Sequence, residues 1–353
     1  MLLYIHIPFC DSKCFYCAFN SYTNLSHLKI DYMKSLNTQL QFELSKYDNL
    51  KLKSVFFGGG TPSSIDAIYY KEIFNTLNPY ITNLTEITTE ANPNSASKQW
   101  QKQMMNLGVN RISFGVQSFD DEKLKFLGRN HNHNQAIDAI NNAKSVGYKH
   151  INCDIIYDTQ KDTKELLKSD LKIISTLPID HISAYSLIIE ENTKFEHTPE
   201  VRIENIDFAK YIFESLEDLG FIQYEISNFS KDTKARSIHN YGYWQKEDYI
   251  GVGSGAIGAI NNKRYYCNED VQEYINNPTT YSKIEILEPE DILFEKIFLG
   301  LRSDVGVKLE LFNSKQKEKI TILEKENKIT IKNNKIYNND FLLSDEIVLF
   351  IDN

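Results

Sequence analysis

The strongest constraint on the fold of this chain is a junction that recurs three times: a helical pattern ends in glycine and a β-rich run follows. The junctions are Leu107-Gly108, Val146-Gly147 and Leu219-Gly220. Glycine is the usual residue where a helix ends in a left-handed conformation. Helices that alternate with strands predict βαβ units and a parallel sheet. Six strands are predicted before this rhythm changes, at residues 2–7, Ser54–Phe57, Thr85–Glu90, Arg111–Val116, His150–Ile156 and His181–Ile188. The sequence therefore predicts an α/β fold built on an open, partial (β/α)6 barrel.

The unusual residues of this pattern lie where the predicted strands end. Three cysteines follow the first strand, and the triplet Gly58-Gly59-Gly60 follows the second. Glu90 ends the third strand, Gln117 follows the fourth, and Asp154 lies in the fifth. In barrel enzymes the carboxyl ends of the strands carry the chemistry. No single residue of this set is specific, but their shared position predicts a functional site at this rim.

Cys10, Cys14 and Cys17 form a C-x3-C-x2-C motif that holds three of the five cysteines. Three thiolates in one short loop are suited to a soft metal centre. A structural zinc site takes four ligands, and no fourth Cys or His follows at finger spacing. A [4Fe–4S] cluster also takes four cysteines, so three would leave one iron open to a small molecule. A disulfide is the weaker alternative because the number is odd, and a buried apolar role conflicts with the polar residues 11–13 between the cysteines.

Composition excludes several classes of function. The net charge of −9 and the pI near 5.5 argue against nucleic acid as a partner, because phosphate binding needs a basic face. No apolar run reaches transmembrane length. The chain enters its first strand without the pattern of a signal sequence, and its few cysteines suit a reducing compartment, so a cytoplasmic location is predicted.

Two glycine-rich segments have different interpretations. Gly58-Gly59-Gly60 is either a tight turn or a place where a ligand touches the backbone, and its position beside the cysteine loop favours the ligand. It is not a phosphate loop, because no Gly-Lys-Ser/Thr follows. Residues 251–258 resemble a dinucleotide loop but lack the βαβ context, so a turn with close backbone packing is predicted there.

Several isolated residues favour a structural role. His131 and His133 are predicted to be solvated loop histidines, and Cys153 and Cys267 to be buried, inert thiols. His239 is less clear, because it lies in a polar stretch with Tyr241, Tyr243 and Trp244 that could surround a flat aromatic ligand. Histidine is a common axial ligand of haem iron, but from the residues alone a structural role is slightly favoured.

Four segments together resemble the HemN/HemW branch of the radical S-adenosylmethionine (radical SAM) superfamily. They are residues 4–10, 14–17, 58–62 and 113–119, and the likeness extends to residues 300–302. In that superfamily the open iron of the cluster chelates SAM, the cluster donates an electron, and SAM yields methionine and a 5′-deoxyadenosyl radical. The resemblance implies a radical SAM core at 1–222, a connecting segment at 223–285 and a small C-terminal α+β accessory domain at 286–353.

The resemblance also implies roles for individual residues. Cys10, Cys14 and Cys17 would bind the cluster, and His239 of the His-Asn-x-x-Tyr-Trp motif would bind haem. The SAM site would be lined by Tyr4, Tyr16, Gly59, Gly60, Thr61, Glu90, Gln117, Arg129, Asp154, Ile188 and Ile257. The sequence departs from the branch at Asp158-Thr159-Gln160, where Gly-Leu-Pro is usual, which leaves the geometry of that loop open.

Three features are similar to the HemW members of the branch, which are haem chaperones. Phe19 stands where the coproporphyrinogen III oxidases carry a further cysteine, an N-terminal extension is not present, and the motif at 239–244 is that of HemW. The implied partners are a haem acceptor protein and an electron donor for the cluster. Peripheral membrane association stays open, as do a monomer and a cluster-dependent dimer. The alternatives are an oxygen-independent coproporphyrinogen III oxidase and a plain iron–sulfur scaffold.

Overall fold

A parallel sheet forms the core of the structure, a computed structural model that describes residues 1–352. The six strands that the sequence predicts are present as β1 (Leu2–Ile7), β2 (Ser54–Gly59), β3 (Glu86–Ala91), β4 (Arg111–Gln117), β5 (His150–Tyr157) and β6 (His181–Ser186). Each pairs in parallel with the next, so their carboxyl ends meet at one edge. The α/β fold with a parallel core is confirmed.

The sheet is larger than the sequence predicts, because strands from residues 223–285 extend both of its edges. They are β7 (Ile222–Gln223), β8 (Asn228–Ser230), β9 (Tyr249–Val252), β10 (Ile257–Ile260), β11 (Lys263–Cys267) and β12 (Tyr281–Ile286). Strand β9 pairs in parallel with β1, so it adds a seventh parallel strand to the six that the sequence predicts. The other five are antiparallel additions at the two edges. The segment at 223–285 therefore shares the sheet of the core.

Helices cover the sheet with their apolar faces. They are α1 (Lys29–Leu44), α2 (Lys71–Leu77), α3 (Lys98–Leu107), α4 (Asp121–Phe126), α5 (His133–Val146), α6 (Lys164–Ile174), α7 (Ile206–Asp218), α8 (Ile238–Trp244) and α9 (Val271–Asn276). Helix α1 buries Met33, Leu36 and Leu40 against the sheet, at the spacing that one helical face requires. Each such side chain stabilises the fold by about 1.5–3 kcal/mol. The three glycines of the predicted junctions all have positive φ, as a helix end of this kind requires.

The last seventy residues form a small α+β unit with an apolar cluster of its own. It contains α10 (Pro289–Leu301), β13 (Val307–Lys308), α11 (Ser314–Lys325), β14 (Ile329–Lys332), β15 (Lys335–Asn338) and α12 (Ser344–Asp352). The three strands make an antiparallel sheet separate from the core sheet. Ile297, Ile320 and Ile336 are among the residues buried between this sheet and the helices.

The structure corrects three local predictions. The polar stretch with His239 is helix α8, because the Ser237 side chain caps its first turn by accepting from the Asn240 amide at 3.2 Å. The sequence also predicts a strand over residues 221–226, and the structure reduces it to the two residues of β7. His131 is buried, with Nε2 3.0 Å from the Val116 carbonyl oxygen, whereas His133 is exposed as predicted.

Candidate functional site

A cavity of about 420 Å³ opens at the carboxyl ends of β1 to β6. Twelve of the fifteen residues predicted for the site line this cavity: Cys10, Cys14, Tyr16, Cys17, Gly59, Gly60, Thr61, Glu90, Gln117, Arg129, Asp154 and Ile188. They come from six strand ends and the loops that follow, and the parallel register alone brings them to one edge. The structure thus gathers residues that are far apart in the sequence.

The three clustered cysteines lie at the mouth of the cavity and are half-buried free thiols. The loop is held by Lys13, whose ammonium donates to the Phe19 carbonyl oxygen at 2.6 Å. Cys10 Sγ lies 3.3 Å from Thr61 Oγ1, which ties the loop to the glycine-rich end of β2. Burial raises the pKa of the Cys10 and Cys17 thiols. A metal centre would oppose this effect, because coordination favours the thiolate.

Arg129 connects the cysteine loop to the sheet. Its Nη1 donates to Cys14 Sγ at 3.1 Å, and its Nη2 donates to Asn92 Oδ1 at 2.8 Å and to the Gly115 carbonyl oxygen. Burial by itself lowers the pKa of Arg129, but Tyr16 and Cys14 raise it above the ordinary value, so the guanidinium stays charged. Its buried Nε has no partner in residues 1–352. The site therefore places a fixed positive charge beside a thiol.

Two carboxyl groups lie deeper in the cavity, on the face of the sheet that lines it. Glu90 is in register with Ser113, and Asp154 with Ser183, so alternate residues of neighbouring strands form a polar lining. Burial, followed by the proximity of Asp154, raises the pKa of Glu90 to about 8. Burial also raises the pKa of Asp154, although Asn152 Nδ2 donates to it at 2.6 Å. The cavity thus holds two carboxyl groups whose ionised forms a cationic ligand would stabilise.

The donor set at the mouth fits an iron–sulfur cluster better than a single ion. Within residues 1–352, no three Cys, His, Asp or Glu side chains are arranged to hold one metal ion. A [4Fe–4S] cluster binds each cysteine through a different iron, so its ligands need not converge on one point. Cys10, Cys14 and Cys17 supply soft donors on one wall of the cavity, and Arg129 offsets the negative charge of bound thiolates.

The glycine triplet is needed by the packing of the protein itself. Gly59 has φ +104, and a Cβ added there would lie 2.4 Å from the His6 ring. The Gly59 amide donates to Glu90 Oε2 at 3.2 Å, so this backbone also fixes a carboxyl group of the site. A Cβ on Gly60 would lie 2.8 Å from the carbonyl oxygens of Ile7 and Phe9. Contact with a ligand at this turn stays a prediction.

We expect Gly59→Ala to lower the free energy of unfolding by about 2–4 kcal/mol, because it combines an unfavourable φ with a collision against His6. Gly108→Ala is the matched control. Gly108 has φ +125, but the nearest atom to its added Cβ is 3.6 Å away, so a loss of about 1–2 kcal/mol is expected. Urea unfolding measures both variants. Equal losses would show that the His6 contact is unimportant.

Tyr4, Ile257 and His239 do not line the cavity. The Tyr4 hydroxyl donates to His6 Nδ1 at 2.9 Å, because His6 Nε2 bonds the Asn20 carbonyl oxygen at 2.8 Å. Ile257 begins β10 at the same edge of the sheet and is 38% exposed. A Cβ on Gly251 would lie 2.2 Å from the Ile257 carbonyl oxygen, which confirms the close backbone packing predicted for 251–258.

His239 is enclosed by protein on all sides. Its ring is 1% exposed and stacks on Phe56 with centroids 4.9 Å apart. Nδ1 lies 2.8 Å from Ser54 Oγ, and Nε2 lies 2.8 Å from the Tyr243 hydroxyl. Burial lowers the pKa of His239 to about 3, so the ring is neutral. Haem ligation by His239 stays a prediction, and in this arrangement it requires one of the two hydrogen bonds to break.

Sequence reasoning missed several polar residues of the cavity. Asn92 accepts from Arg129 and donates to Thr61 Oγ1 at 3.1 Å, and Arg111 and His181 lie at the floor. The available signal was strand periodicity, because Arg111 shares a strand face with Ser113. Asn92 carries no such signal, since it follows the end of its strand.

The loop after β5 replaces the usual Gly-Leu-Pro with a network of hydrogen bonds. Asp158 has φ +64, a conformation that glycine adopts freely and aspartate tolerates better than most residues. Its Oδ2 accepts from Ser186 Oγ at 2.8 Å, and Asp162 Oδ2 accepts from the amide and hydroxyl of Thr159 at 2.8 and 2.9 Å. The departure at 158–160 is therefore compatible with an ordered loop.

Known proteins share extensive sequence similarity with this chain. A model of the radical SAM superfamily matches residues 4–170. The heme chaperone HemW of Lactococcus lactis is 34% identical over 349 residues, covering 96% of this chain and 90% of the relative. HemW of Bacillus subtilis is 33% identical over 88% of this chain and 86% of the relative, and HemW of Haemophilus influenzae is 40% identical over 73% and 70%.

A solved structure shares the fold. The coproporphyrinogen III oxidase HemN of Escherichia coli, a radical SAM enzyme, aligns with a TM-score of 0.83, covering 99% of this chain and 89% of its own. At 19% identity this likeness concerns the fold alone.

No helix in residues 1–352 is long and apolar enough to cross a membrane. Membership of the superfamily implies a [4Fe–4S] cluster and SAM. The extent and identity of the sequence matches show that the chain belongs to the HemW family of the radical SAM superfamily.

Proposed function

We propose that this protein is a haem chaperone that binds haem and transfers it to an acceptor protein. The observation that carries the proposal is the match to relatives named heme chaperone HemW over 96% and 88% of this chain. A match over 96% of the chain extends well beyond residues 4–170, so it is not limited to the domain shared by the whole superfamily. A cytoplasmic location is part of the proposal.

The cluster would be held by Cys10, Cys14 and Cys17 at the mouth of the cavity. A [4Fe–4S] cluster with SAM supplies one-electron chemistry. Arg129 would stabilise the thiolate of Cys14 through its hydrogen bond of 3.1 Å, because a guanidinium attracts a negatively charged sulfur. Thr61 would hold Cys10 in position through its contact of 3.3 Å.

SAM would lie in the cavity below the cysteines. Glu90 and Asp154 would stabilise its positively charged groups, since both carboxyl groups are buried in the cavity wall. The guanidinium of Arg129 is a suitable partner for the SAM carboxylate. Ile188, which is 60% exposed at the rim, would give the adenine an apolar contact.

A haem titration of the anaerobically reconstituted protein tests the proposed function. We expect a Soret band that saturates at one haem per chain and retention of the cluster. Addition of a haem-free haem protein should replace this band by the Soret band of the acceptor. Incubation with coproporphyrinogen III and SAM is the companion assay, and no decarboxylated product is expected. Absence of haem binding, or decarboxylation at enzymatic rates, would contradict the chaperone and favour the scaffold or the oxidase.

Proton release should accompany SAM binding at pH 7. The pKa of Glu90 is about 8, so its carboxyl group is mostly protonated at pH 7, and a bound cation favours the ionised form. The release should vanish above about pH 9, where Glu90 is already ionised. Calorimetry in two buffers of different ionisation enthalpy measures it.

The control for this prediction uses a second glutamate of the same cavity. Glu90→Gln should remove most of the proton release, whereas Glu190→Gln should leave it unchanged, because Glu190 lies exposed at the rim. Tight SAM binding by the unaltered protein without any proton release at pH 7 would mean that Glu90 does not face the positive groups of SAM.

A further inference from the structure

A second cavity, of about 510 Å³, lies beside the amino end of β9. Its walls come from the end of α8, from β9 to β11 and from α10, so the core sheet and the C-terminal unit both contribute. Its volume is within the range of about 300–1,000 Å³ that small-molecule and cofactor sites occupy. None of the residues predicted for the SAM site or the cluster lines it.

Aromatic rings form two walls of this cavity. On α10, Phe294 and Phe298 are stacked, with ring centroids 5.9 Å apart and planes 30° apart. On the other wall Tyr243 and Tyr249 meet edge to face, with centroids 4.7 Å apart. Phe294 is 45% exposed, although exposing a large apolar ring is unfavourable. The protein leaves these aromatic surfaces uncovered, and a flat apolar ligand could pack against them.

Tyr249 lines this cavity and its ring contacts Tyr243, but its hydroxyl group forms no side-chain hydrogen bond within residues 1–352. Other tyrosines of the core are satisfied: Tyr32 donates to the His6 carbonyl oxygen at 2.8 Å, and Tyr70 to the Pro62 carbonyl oxygen at 2.8 Å. Burial raises the pKa of Tyr249 above its ordinary value, Arg264 partly offsets this effect, and Glu295 adds to it, so the group is a neutral phenol until a cation binds. The hydroxyl group of Tyr249 is therefore available to a ligand in the cavity.

The cavity also contains cations that share their carboxylate partner. Glu295 pairs with both Lys246 and Arg264, and Arg264 pairs further with Glu285 at 3.3 Å. Lys263, Glu247 and Asp248 also line the cavity, so its three cations and three carboxylates balance in formal charge. A cation that shares Glu295 can pair with an incoming carboxylate at little cost in free energy, because both cations still have a negatively charged partner afterwards.

We propose that haem binds in this second cavity, with Tyr249 Oη as the axial ligand of its ferric iron and with Lys246 and Arg264 paired to its propionates. The proposal rests on the proposed haem chaperone function. Tyrosine is an established axial ligand of haem iron. The phenol transfers its proton to solvent as the iron–oxygen bond forms, and no electron moves. The aromatic walls then pack on the porphyrin faces.

This assignment explains why His239 need not release its hydrogen bonds. His239 lies inside the core, where Tyr243 separates it from the second cavity by bonding its Nε2 at 2.8 Å. Tyr243 in turn contacts Tyr249. The His-Asn-x-x-Tyr-Trp motif would therefore support the wall of the haem site through Tyr243, and His239 would position that wall.

Titration of the reconstituted protein with ferric haem tests the assignment, with Tyr249→Phe as the decisive variant. We expect the phenolate-to-iron charge-transfer band of the unaltered protein to disappear and the affinity to fall at least about tenfold, or about 1.4 kcal/mol. Tyr265→Phe, on β11, which β10 separates from β9, is the matched control outside the cavity and should bind as the unaltered protein does. His239→Ala should retain the charge-transfer band.

A second variant tests the aromatic wall of the proposed haem site. Phe294→Ser should weaken haem binding without changing the iron ligand, and its exposed position makes loss of folding unexpected. Unchanged affinity and spectrum in Tyr249→Phe, or loss of the charge-transfer band in His239→Ala with Tyr249 intact, would overturn the assignment while leaving the chaperone function in place. Failure of the unaltered protein to bind haem would overturn both.

Discussion

Iron uptake during anaerobic reconstitution is expected to be lost when Cys10, Cys14 or Cys17 is replaced by alanine. Each thiolate would bind a different iron of the cluster, and two protein ligands leave a second iron without support. The three side chains line one wall of the cavity and form no disulfide, so no other residue of the loop can substitute. Iron and sulfide analysis, with the visible absorption of the cluster, measures the effect, which should be a loss of nearly all bound iron.

The two remaining cysteines provide the control. Cys153 and Cys267 are 0% and 2% exposed and lie within the core, as predicted for inert thiols. Cys153→Ala and Cys267→Ala should therefore keep full cluster content, with at most a modest loss of stability. Normal iron content in a variant that lacks all three clustered cysteines would exclude them as the cluster ligands.

A large loss of stability is expected for Lys123→Met. Lys123 Nζ donates to Asp162 Oδ1 at 2.5 Å, and the two side chains are 1% and 0% exposed. Removing the ammonium leaves a buried carboxylate unpaired, which typically costs about 3–5 kcal/mol. Lys123 also donates to the Ile156 carbonyl oxygen at 2.7 Å, so the loop after β5 loses a second contact. Chemical unfolding, followed by circular dichroism, measures the change.

The double variant Lys123→Met with Asp162→Asn separates charge from packing. It removes both charges but keeps an amide that can accept from Thr159, so part of the lost stability should return. Lys125→Met, on an exposed face of the same helix, should change the free energy of unfolding by less than about 0.5 kcal/mol. A loss below about 1 kcal/mol in Lys123→Met would show that the buried pair does not stabilise the fold.

The parts of the fold that could be predicted are those encoded by a few neighbouring residues in the sequence. Gly108 and Gly147 end helices because a left-handed residue is needed there, and a window of a few residues contains that information. The pairing of β9 with β1 has no local signal, since the partners of Leu2–Ile5 are Tyr249–Val252. Helix α8 was missed because its aromatic and polar residues lack an apolar stripe.

The sequence predicts which residues belong to the site, but it does not predict the contacts between them. Strand ends share an edge in any parallel sheet, so Glu90, Gln117 and Asp154 could be grouped from their positions alone. The hydrogen bond between Arg129 and Cys14 depends on how two loops pack, and no periodicity encodes it. The surroundings of His239 depend on Ser54 and Phe56, which belong to a distant strand.

The position of β9 has a consequence for synthesis of the protein on the ribosome. Strand β1 emerges long before β9, yet one of its hydrogen-bonding edges is completed only by residues 249–252. At about 5–20 residues per second, that edge waits for about 10–50 s. Unpaired strand edges invite association with other chains, so the nascent protein is exposed to aggregation during this interval. Truncation before β9 should accordingly give insoluble product, even though β1 to β6 are complete.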